Sequence, residues 1–382
     1  MCKVTIFNAF MLLLFHVIRL LSSIEIVSTF YHSQIISTNY TLFGMAQALE
    51  LREVFDFLKS ERDDVRKMAA QGLSLLSGDA VKLPMLTSLL TSDPAMIETL
   101  IGLLSVKEHT TLGDILTTFI NCAADAPCAE AFSRNRVVQR SMRLLDALEA
   151  SDLSATTLPV YKEMTLMLLN NLTASNVIAI QDLLQLEDED LAGYFVTRLS
   201  MLFARHSATE HVSEQRDLRK WFLQISLNLT RTPDGQRTLL TEDWPSQLLE
   251  TLNESPNPML RFLAAQCFNN CAATPANHAA IVESTAVSTI LRRLSKGLEA
   301  QPTQMVLAEF LASMMQSEPG MNCLEGINSR QFLVAVAEGK IDASGGDEEV
   351  RNAVDPEVAE FIKHHILPFL DEIQDAYLQE EE

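Results

Sequence analysis

From Met45 onward, apolar residues recur with helical spacing, and no strand-like alternation extends beyond a few positions. Two kinds of helix are predicted. Glu163–Leu169, Leu218–Ile225 and Met259–Ala265 are apolar almost all round, as expected of a helix packed on several sides. Arg136–Leu148 and Ala286–Leu294 show one apolar stripe against a polar face, the pattern of a helix with one side in water. The acid-rich Ser60–Asp63 suits a helix start, where the dipole favours negative charge. The chain reads as all-α, with helices in pairs, the amphipathic one first.

A repeated helix end sets the larger order. Phe119–Pro127, Leu168–Asn176, Ser226–Asp234 and Phe268–Ala276 each give an apolar residue, Asn, Leu or Cys, Thr or Ala, then a breaker. The aligned asparagines are Asn121, Asn171, Asn228 and Asn270, spaced by 50, 57 and 42 residues. These periods meet or slightly exceed the ~40–47 residues of armadillo and HEAT units. One helix pair cannot bury its own apolar face, so neighbours must stack into a continuous core. The predicted architecture is an armadillo/HEAT-type α-solenoid of about six or seven helical repeats. Its expected parts are a non-conforming N-terminal extension over 1–44, armadillo-type repeats over 45–300, C-terminal helical repeats closing the solenoid over 301–370, and an acidic tail over 371–382.

Composition supports the helical reading. Thirteen glycines and thirteen prolines in 382 residues fall below the usual ~7% and ~5%. Twenty-nine basic against fifty acidic residues give a net charge of −21. That balance argues against a nucleic-acid binder and against docking on anionic membrane, both of which need positive charge. Residues 341–382 hold a net −11, half of the excess, and residues 1–44 a net +1.

The extension has its own character. Lys3 followed by the apolar run Val4–Phe15 resembles a signal peptide, but the run is short for a membrane span of ~20 residues, and His16 and Arg19 interrupt it. A start-site error and a targeting segment both remain open, with the fold beginning at Met45 or Ala46. None of the six cysteines forms a C-x-x-C, which reads as a reduced, intracellular set. Cys267 and Cys271 share a helical face, as plain packing requires. The Asn-Leu-Thr sequons at Asn171 and Asn228 occupy the same repeat position, so the repeat explains them without any sugar.

No catalytic pattern emerges. The eight histidines form no H-E-x-x-H, and there is no phosphate loop and no G-x-S-x-G. No enzyme, cofactor or metal is therefore expected, and function should lie on the surface formed by the last helix of each unit, the concave face of a solenoid. The candidate residues there are Asn121, Asn171, Asn228, Asn270, Lys220, Trp221, Gln224 and Gln266. Each asparagine has two readings, capping a helix end or contacting a ligand in the groove. Trp221 is either core or groove. Lys220 is either simply solvated or part of a polar edge with Gln224 and Asn228. Armadillo proteins of the nuclear-import type carry a tryptophan four residues before each groove asparagine. Here those positions hold Thr117, Met167, Gln224 and Gln266, so a basic import signal is not the expected ligand.

The order of the copies narrows the match. Residues 46–78, with Val65–Gly78 at their end, and Leu168–Thr173, Arg261–Cys271, Met305–Ala312, Gly326–Leu333 and Glu349–Val354 resemble, in sequence along the chain, segments of the high-growth (Hgh, or brain protein 16) family. The resemblance implies an armadillo-type, cytoplasmic folding co-chaperone. Its protein partners would be newly made elongation factor 2, the cytosolic chaperonin and the heat-shock-90 machinery.

Overall fold

The breaker after each repeated asparagine begins a new helix. A computed structural model describes residues 51–188, 190–207, 217–241, 243–342 and 351–371. The chain divides into two units, Met1–Glu53 and Val54–Glu382, and the second is described here. The extension expected over 1–44 and the acidic tail beyond Asp371 lie outside the described residues.

All regular structure among the described residues is helical. A leading helix α1 (Asp63–Ser77) is followed by α2 (Leu83–Ser92), α3 (Pro94–Leu103) and α4 (His109–Cys122). Next come α5 (Ala126–Arg134), α6 (Val137–Glu149) and α7 (Leu158–Ser175), then α8 (Val177–Leu184), α9 (Tyr194–Ser207) and α10 (Arg219–Leu229). The same order continues through α11 (Pro233–Thr241), α12 (Trp244–Glu254) and α13 (Pro258–Ala272), and through α14 (His278–Glu283), α15 (Ala286–Ser295) and α16 (Thr303–Met314). α17 (Glu318–Gly326), α18 (Ser329–Ala337) and α19 (Pro356–His365) complete it.

The unit is a helix triplet, which corrects the expected pairs. Each triplet opens with a helix of only six to ten residues, too short for its period to register in a window of ~11–18 residues. The presumed loop residues are its caps. Asp125 accepts the Cys128 amide at 3.0 Å, Asn176 that of Ala179 at 2.8 Å, and Ser317 that of Gly320 at 3.3 Å. Pro127 and Pro319 sit in the first turns, where a missing N–H costs nothing.

The turn is tight enough to select glycine. A Cβ on Gly235 would lie 2.1 Å from the Leu229 carbonyl oxygen, and one on Gly320 would lie 2.0 Å from that of Met314. In both units the short helix starts against the end of the preceding third helix.

Third helices stack on third helices through the whole series α1, α4, α7, α10, α13, α16 and α19, and the short first helices stack likewise from α2 to α17. The core runs between these layers. Leu112, Ile115, Leu116 and Phe119 of α4 are fully buried, as are Leu166, Leu168, Leu169 and Leu172 of α7. Aromatic pairs join a third helix to the first helix of the next unit, Phe119–Phe132 with ring centres 4.8 Å apart, and successive units within one layer, Phe203–Trp244 at 5.5 Å and Phe268–Phe310 at 6.4 Å. Each such side chain contributes about 1.5–3 kcal/mol by leaving water.

Near the C-terminal end, backbone between α18 and α19 adds to the packing. Asp342 and Asn352 donate to the carbonyls of Ser295 and Gly297 at 2.8 and 2.7 Å. Gln304 donates to the carbonyls of Glu299 and Ala353 at 2.7 and 2.9 Å. Beneath them, Glu299 (1% side-chain exposure) lies between Arg293 at 2.6 Å and Arg261 at 3.0 Å. Burial lowers the Arg293 pKa, and Glu299 acts in the opposite direction.

Candidate functional site

The repeated asparagines sit in or just before the last turn of their third helices, and their side chains reach the preceding unit. Asn121 donates to the Ser77 hydroxyl at 3.0 Å, and Asn171 to the Ile120 carbonyl at 3.3 Å. Asn228 donates to the Asn170 carbonyl at 3.2 Å, the Asn170 side-chain oxygen at 3.1 Å and the Thr173 hydroxyl at 3.0 Å. Asn270 donates to the Thr230 hydroxyl at 2.8 Å. The four asparagines therefore form a ladder that clips α1 to α4, α4 to α7, α7 to α10 and α10 to α13. The groups they reach lie toward the C-terminal ends of the neighbouring third helices: the hydroxyls of Ser77, Thr173 and Thr230, the carbonyls of Ile120 and Asn170, and the Asn170 side-chain oxygen. In α16 the ladder position after Phe310 is occupied by Ala312, where Asn270 follows Phe268 in α13.

The same logic recurs beneath the ladder. Gln236 donates to the carbonyls of Thr230 and Asn270, and Asn277 donates to Gln236 and to the Cys271 carbonyl, all between 2.9 and 3.2 Å. His278, fully buried, joins the Ala272 carbonyl at 2.7 Å and the Ser317 hydroxyl at 2.6 Å. A carbonyl only accepts, so the ring nitrogen facing Ala272 carries a proton.

Beside the ladder runs a row of half-buried side chains one turn earlier: Thr117, Met167, Gln224 and Gln266. The Gln224 amide oxygen is buried and has no hydrogen-bond partner. Trp221, three residues before it, is neither core nor free, since it is half-buried and donates its indole N–H to Glu163 of α7 at 3.2 Å. Lys220 lies over the Trp221 ring, 4.6 Å from its centre, with its ammonium 3.9 Å from the same carboxylate. Asn269 of α13 donates to Glu309 of α16 at 3.1 Å and continues the polar line. The structure thus brings Lys220, Trp221, Gln224 and Asn228 together on α10, while Asn121, Asn171, Asn270 and Gln266 occupy matching positions on the flanking third helices.

Glu163 and Asn170 were not among the candidates. Glu163 had a signal, an acid opening an otherwise apolar stretch, but its partner is 58 residues away. Away from this face, Asp182 has its pKa pushed up to about 6, first by burial and then by Glu187, with Arg136 opposing. The thiols of Cys267 and Cys271 are buried, which pushes Cys267 upward and Cys271 to about 12. Cys267 points its thiol at the Leu223 carbonyl, 3.9 Å away, in the packing role expected of it. Among the described residues, no three metal-binding side chains converge, and no helix is long and apolar enough to cross a membrane.

No family model matches the chain, and no curated protein matches it in sequence. Solved structures do match in fold. An engineered protein, 16% identical, aligns over 82% of this chain and 67% of its own with a TM-score of 0.60. A computationally designed armadillo repeat protein for modular peptide recognition, also 16% identical, aligns over 69% of this chain and 99% of its own, with a TM-score of 0.54. A designed armadillo repeat protein in complex with the peptide (KR)4 is 15% identical over 70% of this chain and 98% of its own, at 0.53. Helix triplets, stacked third helices and these likenesses lead to one conclusion: the chain has the armadillo-type α-solenoid fold.

Proposed function

We propose that the chain is a non-enzymatic adaptor that offers its third-helix face to protein partners, and that it serves the folding of newly made elongation factor 2. In that role it links the factor to the cytosolic chaperonin and the heat-shock-90 machinery. One observation carries the binding reading: the line of polar and aromatic side chains, exposed Lys220 and half-buried Trp221, Gln224, Gln266 and Asn269, on a face that runs from unit to unit. The chaperone assignment draws its support from the motifs at Val65–Gly78, Leu168–Thr173 and Arg261–Cys271 and from the order in which they occur. The net charge of −21 favours a partner with a basic surface.

Affinity purification of the tagged full chain from its native cytosol tests the assignment. Elongation factor 2 and chaperonin subunits should be recovered together, and recovery of neither overturns it. The second reading is a repeat scaffold for transport or signalling, favoured by the likeness to a designed protein in complex with a short peptide. Recovery of a different, stoichiometric protein partner selects that reading.

A further inference from the structure

On the third-helix face, Trp221 and Glu163 together make a receptor for a cation. The face of an indole attracts ammonium and guanidinium groups through its quadrupole. A carboxylate such as that of Glu163, whose residue is only 9% exposed, holds a positive charge with little competition from water. The bond from the Trp221 indole N–H to Glu163, 3.2 Å, fixes the ring against the carboxylate.

This receptor is already occupied by the chain itself. The Lys220 ammonium stands 4.6 Å from the Trp221 ring centre and 3.9 Å from Glu163. Neighbouring residues on a helix diverge by about 100°, so the lysine stem has to bend across the ring to place its charge there. The side chain keeps 46% of its surface exposed, which leaves it within reach of a ligand.

We propose that Lys220 is a built-in occupant of this cation site and sets the charge specificity of the face. A partner segment with Lys or Arg opposite α10 has to evict an ammonium already held by the ring and the carboxylate, so it is refused. A segment with an uncharged residue there crosses the site without displacing Lys220. The proposal rests on the third-helix face being the binding surface.

The test uses the full chain with nitrogen-labelled tryptophan and the peptide (KR)4 as probe. The chain has two tryptophans. Trp244, buried with its N–H on the Val196 carbonyl at 3.2 Å, is the internal reference. Lys220→Met keeps an apolar stem over the ring and removes the charge. This variant should bind (KR)4 about tenfold more tightly than the parent, with the Trp221 indole resonance moving and that of Trp244 still. Adding Glu163→Gln should abolish the gain, and melting curves of all three proteins establish that they are folded. Equal affinity of parent and Lys220→Met overturns the proposal, as does a gain in affinity that leaves the Trp221 resonance unmoved. These outcomes count against Lys220 alone. Failure of the face itself shows separately, as partner capture unaffected by substitutions along it.

Discussion

Asn228 concentrates the inter-unit bonding in one side chain, with three acceptors within 3.2 Å on α7. Asn228→Ala leaves the Asn170 side-chain oxygen without this donor, while the Asn170 carbonyl keeps the Thr173 hydroxyl at 3.1 Å, so it should cost about 1–3 kcal/mol in chemical denaturation. Gln224→Ala removes an acceptor that has no partner and should leave stability unchanged or slightly raised. Combining the two would therefore mix a structural effect with a binding one, and the single variants separate them. Asp182 gives a pH signature. Its folded pKa of about 6 lies above the ~3.9 of an unfolded aspartate, so the fold binds the proton more tightly. The stability from that proton is fully present below about pH 4 and is lost as pH rises through about 6. Asp182→Asn should accordingly raise the melting temperature at pH 7 and leave it nearly unchanged at pH 4. The asparagine positions were legible as a repeat, but their acceptors were not, because the bonded partners lie 40 to 58 residues away.

At the scale of elements, helices with a clean apolar stripe were readable and the short first helices were not. α6 and α15 each carry a clean apolar stripe, and both appear where the pattern places them. The first helices were hidden because capping residues and prolines look like loop when no period follows them. Gly235 records the constraint their turns impose. Gly235→Ala would drive a methyl into the Leu229 carbonyl, and α11 has to shift to relieve it. A drop in melting temperature, with α11 amides exchanging early, should report this. The Arg261–Glu299–Arg293 cluster was also invisible in the sequence, since charges 38 and 6 residues apart carry no shared period. Glu299→Ala would leave two part-buried guanidiniums without their carboxylate and should destabilise the fold by roughly 3–5 kcal/mol in a denaturant titration.

At the scale of the whole molecule, every triplet depends on its neighbours, because the third helices bury their apolar sides on one another from α1 to α19. The repeat made that solenoid legible, since four helix ends with one signature imply one stacking rule. The use of the face was less legible: the sequence located Lys220, Trp221 and Gln224 on one helix but could not reveal that Glu163 joins them. That face is the proposed protein-binding surface. The direct measurement is capture of elongation factor 2 and chaperonin by the full chain, with and without the paired substitutions Gln224→Ala and Gln266→Ala, at matched melting temperatures. Strong capture by the parent and at least about tenfold less by the variant are expected. Undiminished capture by the folded variant would contradict that role of the face.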